Sequence, residues 1–565
     1  MKTYISKWVT KEVPQLQEDE VCKYLEIPAD GTMGDFALPC FFLAKEWRKA
    51  PKQIAEEVVQ MLNQTKDETI ILSVEAVNGY VNFHLNKAQY VKVLLERVQQ
   101  EQFGVSQCGI GKTICMDYSS PNIAKNFHVG HLRTTVIGNS LYQIFKKQGY
   151  QVVRINYLGD WGTQFGKLIV AYKNWSSKEL VEEKGIEELL RIYVKFNEEA
   201  DKNPSLIEEA RQWFGKMEQQ DEEAIQIWSW FKEISLVEFE RIYNILEISF
   251  DSYSGESVYM SKVPELVKEL QEKNLLQESE GAQIIDLSAE EMPPCLIIKS
   301  NGSTIYTSRD LAAIFHRKEL YQFDKCIYVT GSEQALHFKQ VFKVIEKMGY
   351  DWSAGLIHVP YGLVSMQGAK LSSRTGNIVY AEDILLEAIN RSKELIEKKN
   401  PSLQDKDVIA KQVGVGAVIF HDLFTQRIKN IDFSWEAVLS FEGNSGPYVQ
   451  YTYARAKSIL RKNKEEYKTK EICYDALTDS ASYELIKKLA DYPSAVAEAA
   501  KQLEPSVLAK YTISVATLFN KFYQENNILN AEEHVKKARL HLVNMTQMII
   551  QECCNLLGIT CPEEM

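Results

Sequence analysis

The sequence predicts a central α/β domain on a parallel sheet, an α+β domain before it and an all-α helical bundle after it. Three observations carry that expectation. Thr113-Ile114-Cys115-Met116-Asp117-Tyr118 is short and apolar-rich, as a buried strand is, and residues 132–147 follow with apolar residues at helical spacing up to Gly149. Residues 151–158 and 326–330 repeat the strand pattern, each running into a loop or a helix start, the place where open α/β sheets bind ligands. From Gly446 onward the pattern is helical, with Pro493 and Pro505 at helix starts and no strand signal.

The chain has 565 residues, enough for three or four domains, and its 45% hydrophobic and 25% charged fractions are ordinary for a soluble globular protein. No apolar run approaches a membrane span, and Met1-Lys2-Thr3-Tyr4 starts no signal peptide. Ten cysteines are scattered without a C-x-x-C pair or histidines at zinc spacing, so a reducing cytoplasm and no structural metal are expected. A net charge of −12 disfavours indiscriminate nucleic-acid binding; any RNA contact must come from local basic surface.

Residues 1–108 read as the α+β domain. Gly34-Asp35-Phe36-Ala37-Leu38-Pro39 leads into a helix containing Phe41, Phe42, Leu43 and Ala44, and Pro51 opens a second helix over 52–62. Residues 70–77 and 80–85 read as strands around the hairpin signal Asn78-Gly79. By composition alone this is a packing or dimerisation module. Gly109-Ile110-Gly111-Lys112-Thr113 ends like a phosphate-binding loop, but Ser106 stands where its first glycine belongs and the strand follows the lysine, so Lys112 is a solvated strand start.

The central stretch is Ser119-Ser120-Pro121-Asn122-Ile123-Ala124-Lys125-Asn126-Phe127-His128-Val129-Gly130-His131-Leu132-Arg133. It joins a strand to a helix N-terminus, where unpaired N–H groups favour anions. Two histidines share one helix face, Gly130 lets a flat ligand approach, and Lys125 adds positive charge: the features of a polyphosphate site. Histidines that merely cap the helix leave Lys125 and Asn122 unexplained. Gly159-Asp160-Trp161-Gly162-Thr163-Gln164-Phe165-Gly166 is a tight loop after the next strand, suited to a ribose or an adenine face, though a plain loop fits equally well. Residues 168–247 then read as an inserted, charged helical layer packed by Trp213, Trp228, Trp230 and Phe231.

Further on, Glu256 ends a turn, Tyr306 and Asp310 lie one helical turn apart, and Gln334 and His337 open another helix after a strand. Taken singly, Glu256 and Asp310 read as solvated or structural acids. No G-x-G-x-x-G follows any strand, which excludes a dinucleotide dehydrogenase. Gln367-Gly368-Ala369-Lys370-Leu371-Ser372-Ser373-Arg374-Thr375-Gly376-Asn377 is a basic, hydroxyl-rich loop, by itself an exposed cationic turn. Residues 380–445 look mixed and short-helical. Arg455, Lys457, Arg461, Lys462, Lys464, Lys468 and Lys470 form the densest basic stretch, with Tyr451, Tyr453 and Tyr467 interleaved; it fits an RNA loop or a solvated helix face.

Ser-Pro-Asn-x-Ala-Lys-x-x-His-x-Gly-His-Leu-Arg resembles the HIGH signature of class I aminoacyl-tRNA synthetases in its arginyl-tRNA synthetase form. Gly-Asp-Trp-Gly-x-Gln-Phe-Gly, the Gly-Asp-Phe-Ala and Gly-Tyr-Val-Asn-Phe turns and Tyr-Val-Gln-Tyr-x-x-Ala-Arg resemble the same family, so the resemblance covers essentially the whole chain. Lys370-Leu371-Ser372 is similar to its KMSKS loop, with Ser373 where a second lysine is usual and Arg374 in place of the last serine.

The resemblance implies a Rossmann-like catalytic domain over 109–380, a tRNA-corner domain over 1–108, a stem-contact segment over 381–445 and a helical anticodon-binding domain over 446–565. It implies ATP-dependent activation of L-arginine, transfer to the 3′-terminal ribose of tRNA(Arg), and activation that needs tRNA. Lys125, His128, His131, Lys370 and Arg374 would be catalytic, and His128, Gly130, His131, Gly159, Asp160, Lys370 and Ser372 would bind ATP. Ser120, Asn122, His128, Glu256, Tyr306, Asp310 and Gln334 would bind arginine, and Tyr451, Arg455, Lys457 and Arg461 would bind tRNA. Mg²⁺ is expected with the ATP, no residue as a metal ligand, no membrane partner, and a monomer in the cytoplasm. Two other classes compete: a synthetase-like protein that holds tRNA without activating arginine, and a nucleotidyltransferase making a small-molecule adenylate. The basic helical region argues against the second.

Overall fold

Four parallel strands carry the larger part of the chain, in the order Leu356–Tyr361, Lys325–Gly331, Thr113–Asp117, Gln151–Ile155. The computed structural model describes residues 1–565 apart from Ala29, Glu68, 367–368, 371–379 and 464–471. Ile114, Cys115 and Met116 are fully buried, and this near-continuous apolar run is what a strand covered on both faces requires. The chain leaves Thr113–Asp117 through the helix Val129–Lys147 and returns as Gln151–Ile155 on one side; Lys325–Gly331 pairs on the other side. The order of strands therefore reverses between Thr113–Asp117 and Lys325–Gly331, and their carboxyl ends open a crevice there. The helix begins three residues earlier than its apolar spacing suggests, at Val129, because His128 caps it.

Between the second and third strands lie the helices Thr163–Trp175, Lys178–Lys184, Ile186–Lys202, Ser205–Glu218 and Glu222–Leu246, which form the expected helical layer. A small antiparallel sheet of Gln277–Ser279, Ala282–Ile285 and Cys295–Ile298 follows, which the sequence patterns do not reveal. Residues 381–445 differ from expectation. They contain two 19-residue helices, Ala381–Lys399 and Lys406–Phe424, and not a set of short ones. A Cβ at Gly414 would lie 2.7 Å from the Ala388 carbonyl, so this glycine is the point at which the two backbones approach.

Contact clustering divides the chain into two units, Met1–Phe103 with Ile459–Ala490 and Leu518–Thr546, and Gly104–Ser458 with Asp491–Thr517 and Gln547–Met565. In the first unit an antiparallel sheet in the order Phe36–Pro39, Tyr80–Leu85, Ile71–Val77 packs against the helix Pro51–Leu62, with Asn78-Gly79 as the hairpin turn. The expected helix around Phe41 is instead the strand Phe36–Pro39, a 3₁₀ turn at Phe41–Leu43 and the short helix Ala44–Trp47, stopped by a left-handed Arg48 before Pro51. Asp35 accepts hydrogen bonds from the Leu85 N–H (2.9 Å) and the Tyr483 hydroxyl (2.7 Å), which joins two of the three sequence segments of that unit. No strand follows Phe433 among the described residues.

Within the larger unit, Arg133 is fully buried one turn into the Val129–Lys147 helix. Its Nη2 donates to the carbonyls of Arg427 (2.9 Å) and Lys429 (3.0 Å), and Nη1 lies 3.9 Å from the Asp422 carboxylate, which burial pushes up to about 6. Arg427 in turn donates to the Pro360 carbonyl (2.7 Å) at the end of the edge strand. Replacing Arg133 with Met strands these acceptors in the core and should destabilise the larger unit by about 3 kcal/mol. Arg133→Lys should restore little, because a single ammonium cannot reproduce the fork. Thermal unfolding followed by circular dichroism checks this; an unchanged midpoint for Arg133→Met contradicts it.

Candidate active site

The turn after Thr113–Asp117 has an unusual backbone: Ser119, Ser120 and Ala124 all have left-handed φ, at 72°, 47° and 56°. Such conformations cost on the order of 1–3 kcal/mol each, so they persist only where the surroundings over-determine them. A buried hydroxyl cluster does so. Ser119 Oγ is 2.7 Å from the Tyr243 hydroxyl and accepts from Thr135 Oγ1 at 2.8 Å, while Asn156 Nδ2 donates to the Tyr243 oxygen at 2.9 Å. Asn156 Oδ1 accepts the Ser120 N–H at 3.1 Å, and Ser235 Oγ accepts the Ala124 N–H at 2.9 Å. Tyr243 and Ser235 both come from the inserted helix Glu222–Leu246.

Held this way, the turn lays Asn122 beside Gly159, with the Ile123 N–H donating to the Gly159 carbonyl (3.2 Å) and the Gly159 N–H to Pro121 (3.1 Å). A Cβ at Gly159 would fall 2.0 Å from Asn122 Oδ1, so only glycine permits this approach. The helix then starts with two histidines in a reciprocal cap. His128 Nδ1 accepts the Gly130 N–H (3.1 Å), His131 Nδ1 accepts the His128 N–H (3.3 Å), and the rings stack 3.8 Å apart. With both Nδ1 atoms accepting, each neutral ring carries its hydrogen on Nε2. Burial, with the Lys125 charge, holds His128 below the usual histidine value; burial, with His128 and Lys125, holds His131 well below it.

A cavity of about 620 Å³ opens at the crevice where the strand order reverses. Ser120, Asn122, His128, Gly130, His131, Gly159, Glu256, Tyr306, Asp310 and Gln334 all line it, although they come from stretches more than 200 residues apart. Tyr306, Asp310, Ala313 and Arg317 present one face of the helix Tyr306–Tyr321, as their spacing by three and four dictates. Asp310 is 2.6 Å from His337 Nε2, and Glu256 is 2.7 Å from Arg309 Nε.

Two expected residues stand elsewhere. Asp160 is fully buried and turned away from the cavity: its carboxylate takes Lys232 Nζ (2.7 Å), the Ser257 N–H (2.8 Å) and the Ser257 hydroxyl (2.8 Å). An anion closed in by those three donors fixes the loop and presents no oxygen to a ligand, which corrects its direct assignment to the nucleotide. Lys125 does not line the cavity either, though its charge reaches both histidines. Ser372, Ser373 and Arg374 lie outside the described residues, as do Lys464, Tyr467, Lys468 and Lys470; the Lys370 backbone pairs with Ser365 in a short strand.

On the helix Gly446–Lys462, Tyr451 is 38% exposed with the Arg455 guanidinium 4.7 Å from its ring centre, a stacked pair open to solvent. Lys457 lies 3.1 Å from Glu563, and Arg461 is exposed near the helix end. Tyr453, read as an interleaved aromatic, is buried and faces the core.

Sequence reasoning missed Asp117 and Arg317, a buried ion pair at 2.8 Å in the cavity floor, and also Arg309. The lone acid closing an apolar strand and the arginine two turns after Asp310 were the available signals. His337 was noticed as a neighbour of Gln334 but given no role.

Three family descriptions match: "Arginyl tRNA synthetase N terminal domain" over residues 1–85, "tRNA synthetases class I (R), catalytic domain" over 91–435 and "DALR anticodon binding domain" over 449–565. The arginine–tRNA ligase of Clostridioides difficile is 48% identical over 566 aligned positions, spanning 100% of this chain and 99% of that protein. The crystal structure of arginyl-tRNA synthetase from Plasmodium falciparum superposes with a TM-score of 0.79 at 26% identity, over 100% of this chain and 98% of that one. The Thermus thermophilus arginyl-tRNA synthetase gives 0.79 at 25% identity over 100% of both chains.

The neutral histidine pair has a pH signature. An unfolded chain protonates these rings near pH 6.5, whereas the fold resists protonation until lower pH. The unfolded state therefore binds more protons in that window, and the contribution to stability, full above about pH 6.5, is lost as pH falls toward the folded values. His131→Ala removes one such ring, so its unfolding midpoint should fall less steeply than that of the unsubstituted protein between about pH 6.5 and 5. Part of the decline should remain because His358, held at about 4 by burial, behaves alike. Parallel slopes for the two proteins contradict this.

Proposed function

The chain belongs to the arginyl-tRNA synthetases of class I, and on that premise we propose which of its residues carry each part of the reaction. It is an arginine–tRNA ligase: with ATP it joins arginine to tRNA(Arg), releasing AMP and pyrophosphate. The observation that best supports an assignment of roles is the single cavity that combines two neutral histidine donors at a helix N-terminus with two carboxylates, Glu256 and Asp310.

In the first step an oxygen of the arginine carboxylate bonds to the α-phosphorus of ATP and the bond to the pyrophosphate oxygen breaks. Charge grows on the phosphoryl oxygens and the leaving group, so positioning and electrostatic stabilisation do the catalysis. His128 and His131 donate through Nε2–H to phosphate oxygens; because neither ring needs protonation to donate, this role holds at neutral pH. Gly130 and Gly159 let the nucleotide lie against backbone, while Asp160 acts indirectly by fixing the loop through Lys232 and Ser257. Lys125, with Lys370 and Arg374, offsets pyrophosphate charge, and Ser372 binds ATP. Mg²⁺ travels with ATP as part of the substrate. In the second step the terminal ribose hydroxyl of tRNA bonds to the arginyl carbonyl carbon, AMP departs, and the hydroxyl proton is released.

Glu256 and Asp310 grip the guanidinium of arginine, with Tyr306 alongside. Ser120, Asn122, His128 and Gln334 align its α-amino and carboxylate end. Charge-assisted bonds to a planar fork reject uncharged analogues, because those leave the buried carboxylates unpaired. Tyr451, Arg455, Lys457 and Arg461 contact tRNA; the solvent-facing Tyr451–Arg455 pair supports base stacking there. The domain limits at 108, 380 and 445, a monomeric state and a cytoplasmic location complete the proposal.

Arginine-dependent pyrophosphate exchange, with and without tRNA, is the direct test; a folded sample inactive under both conditions refutes the assignment. Asp310→Asn should raise the Michaelis constant for arginine about tenfold or more while changing that for ATP less than about twofold, since one charged contact of ~1.5–3 kcal/mol is weakened. Equal changes in the two constants refute the role given to Asp310.

A further inference from the structure

Glu256 lines the cavity, but the guanidinium that meets it does not. Arg309 precedes Asp310 on the Tyr306–Tyr321 helix, and successive helical residues point about 100° apart, so Asp310 lines the cavity while Arg309 does not. From there Arg309 Nε reaches Glu256 Oε2 at 2.7 Å, with the two side chains 12% and 19% exposed. An arginine that plugged the cavity would line it. This one meets, without lining the cavity itself, a carboxylate that does line it.

We propose that Arg309 is a positioning residue for substrate specificity: without lining the cavity it orients Glu256 and favours its anionic form for the guanidinium of the incoming arginine. This rests on the assignment of Glu256 to the substrate given above. The surroundings show why a holder is needed. Asp310 and Asp160 stand near Glu256, the latter partly offset by Lys232, and the phenol of Tyr157 is close by. Burial and the two neighbouring carboxylates all favour a neutral Glu256; Arg309 is the opposing charge, and the group comes to rest at about 7. Glu218 is the other acid within electrostatic reach of Arg309. With Arg309 gone Glu256 keeps its proton to higher pH, and at pH 7 the substrate fork meets a neutral carboxyl more often. A neutral partner makes a bond roughly half as strong as a charged one.

The test is the pH dependence of the arginine Michaelis constant, measured by tRNA-dependent exchange for the full-length protein and for Arg309→Gln and Arg309→Lys. In the unsubstituted protein arginine binding should strengthen as pH rises through about 7, where Glu256 loses its proton, and then level off. Arg309→Gln should displace that rise to higher pH, giving a Michaelis constant about tenfold or more higher at pH 7 that converges toward the unsubstituted value near pH 9, while that for ATP stays within about twofold. Arg309→Lys, which keeps the charge, should recover most of the shift and serves if Arg309→Gln does not fold. A pH-independent loss in either variant marks a merely structural role and overturns the proposal; tighter arginine binding marks a competitor and overturns it too. If the unsubstituted protein shows no arginine-dependent exchange, the functional assignment itself fails, whereas normal activity with superimposable pH profiles sinks only the role of Arg309.

Discussion

Every part of the candidate site hangs on the turn that leaves the Thr113–Asp117 strand, and that turn is held in shape by Tyr243. Three non-glycine residues there adopt left-handed backbone, at a cost of order 3–9 kcal/mol together. The compensation is a closed set of buried hydrogen bonds in which the Tyr243 hydroxyl is shared by Ser119 and Asn156, and Asn156 in turn fixes the Ser120 N–H. The strained turn aims Asn122 at Gly159 and delivers His128 as the cap of the next helix. Without it the strand would still end and the helix would still begin, but the two walls of the cavity would not converge. The inserted helical layer thus does more than cover the sheet, since Tyr243 and Ser235 reach from it into the signature turn.

A second theme is the acid that already has a nitrogen partner within the fold. Asp117 is met by Arg317 in the cavity floor, Asp310 by His337, Glu256 by Arg309 and Asp160 by Lys232. Removing one partner of such a pair leaves an uncompensated buried charge, which is far costlier than losing a surface bridge. For a protein whose substrate is itself a guanidinium, this arrangement gives each acid a nitrogen partner before the substrate arrives. Position also separates the roles: Arg317 and His337 line the cavity, whereas Arg309 and Lys232 reach their carboxylates without lining it.

How much of this was legible in the sequence depends on distance along the chain. The strand, turn and helix of the central stretch are contiguous, so their order could be read directly, and the 3.6-residue period correctly placed Tyr306 and Asp310 on one face. The direction of Asp160 could not be read, because its partner Lys232 is 72 residues away and lies on another helix. Likewise nothing local distinguishes Glu256 from a solvated acid; Arg309 reaches it only after the fold closes. The length of the helix Lys406–Phe424 was hidden for a different reason: glycine is a poor helix former, yet Gly414 here admits a neighbouring backbone, and tertiary packing overrides propensity. Tyr453 was misjudged because interleaved aromatics on a basic helix look alike whether they face solvent or core.

The most direct test of the account is Tyr243→Phe, which removes one oxygen from the buried cluster at a residue that is not itself part of the cavity lining but bonds Ser119, which is. Leaving buried partners unpaired costs about 1–3 kcal/mol, and the strained turn is where that loss must appear. Tyr243→Phe should therefore slow tRNA-dependent, arginine-dependent pyrophosphate exchange about tenfold or more at saturating substrates, with the protein still folded and its tRNA affinity nearly unchanged. An exchange rate within about twofold of the unsubstituted protein would contradict the claim that this hydroxyl holds the turn in its working shape.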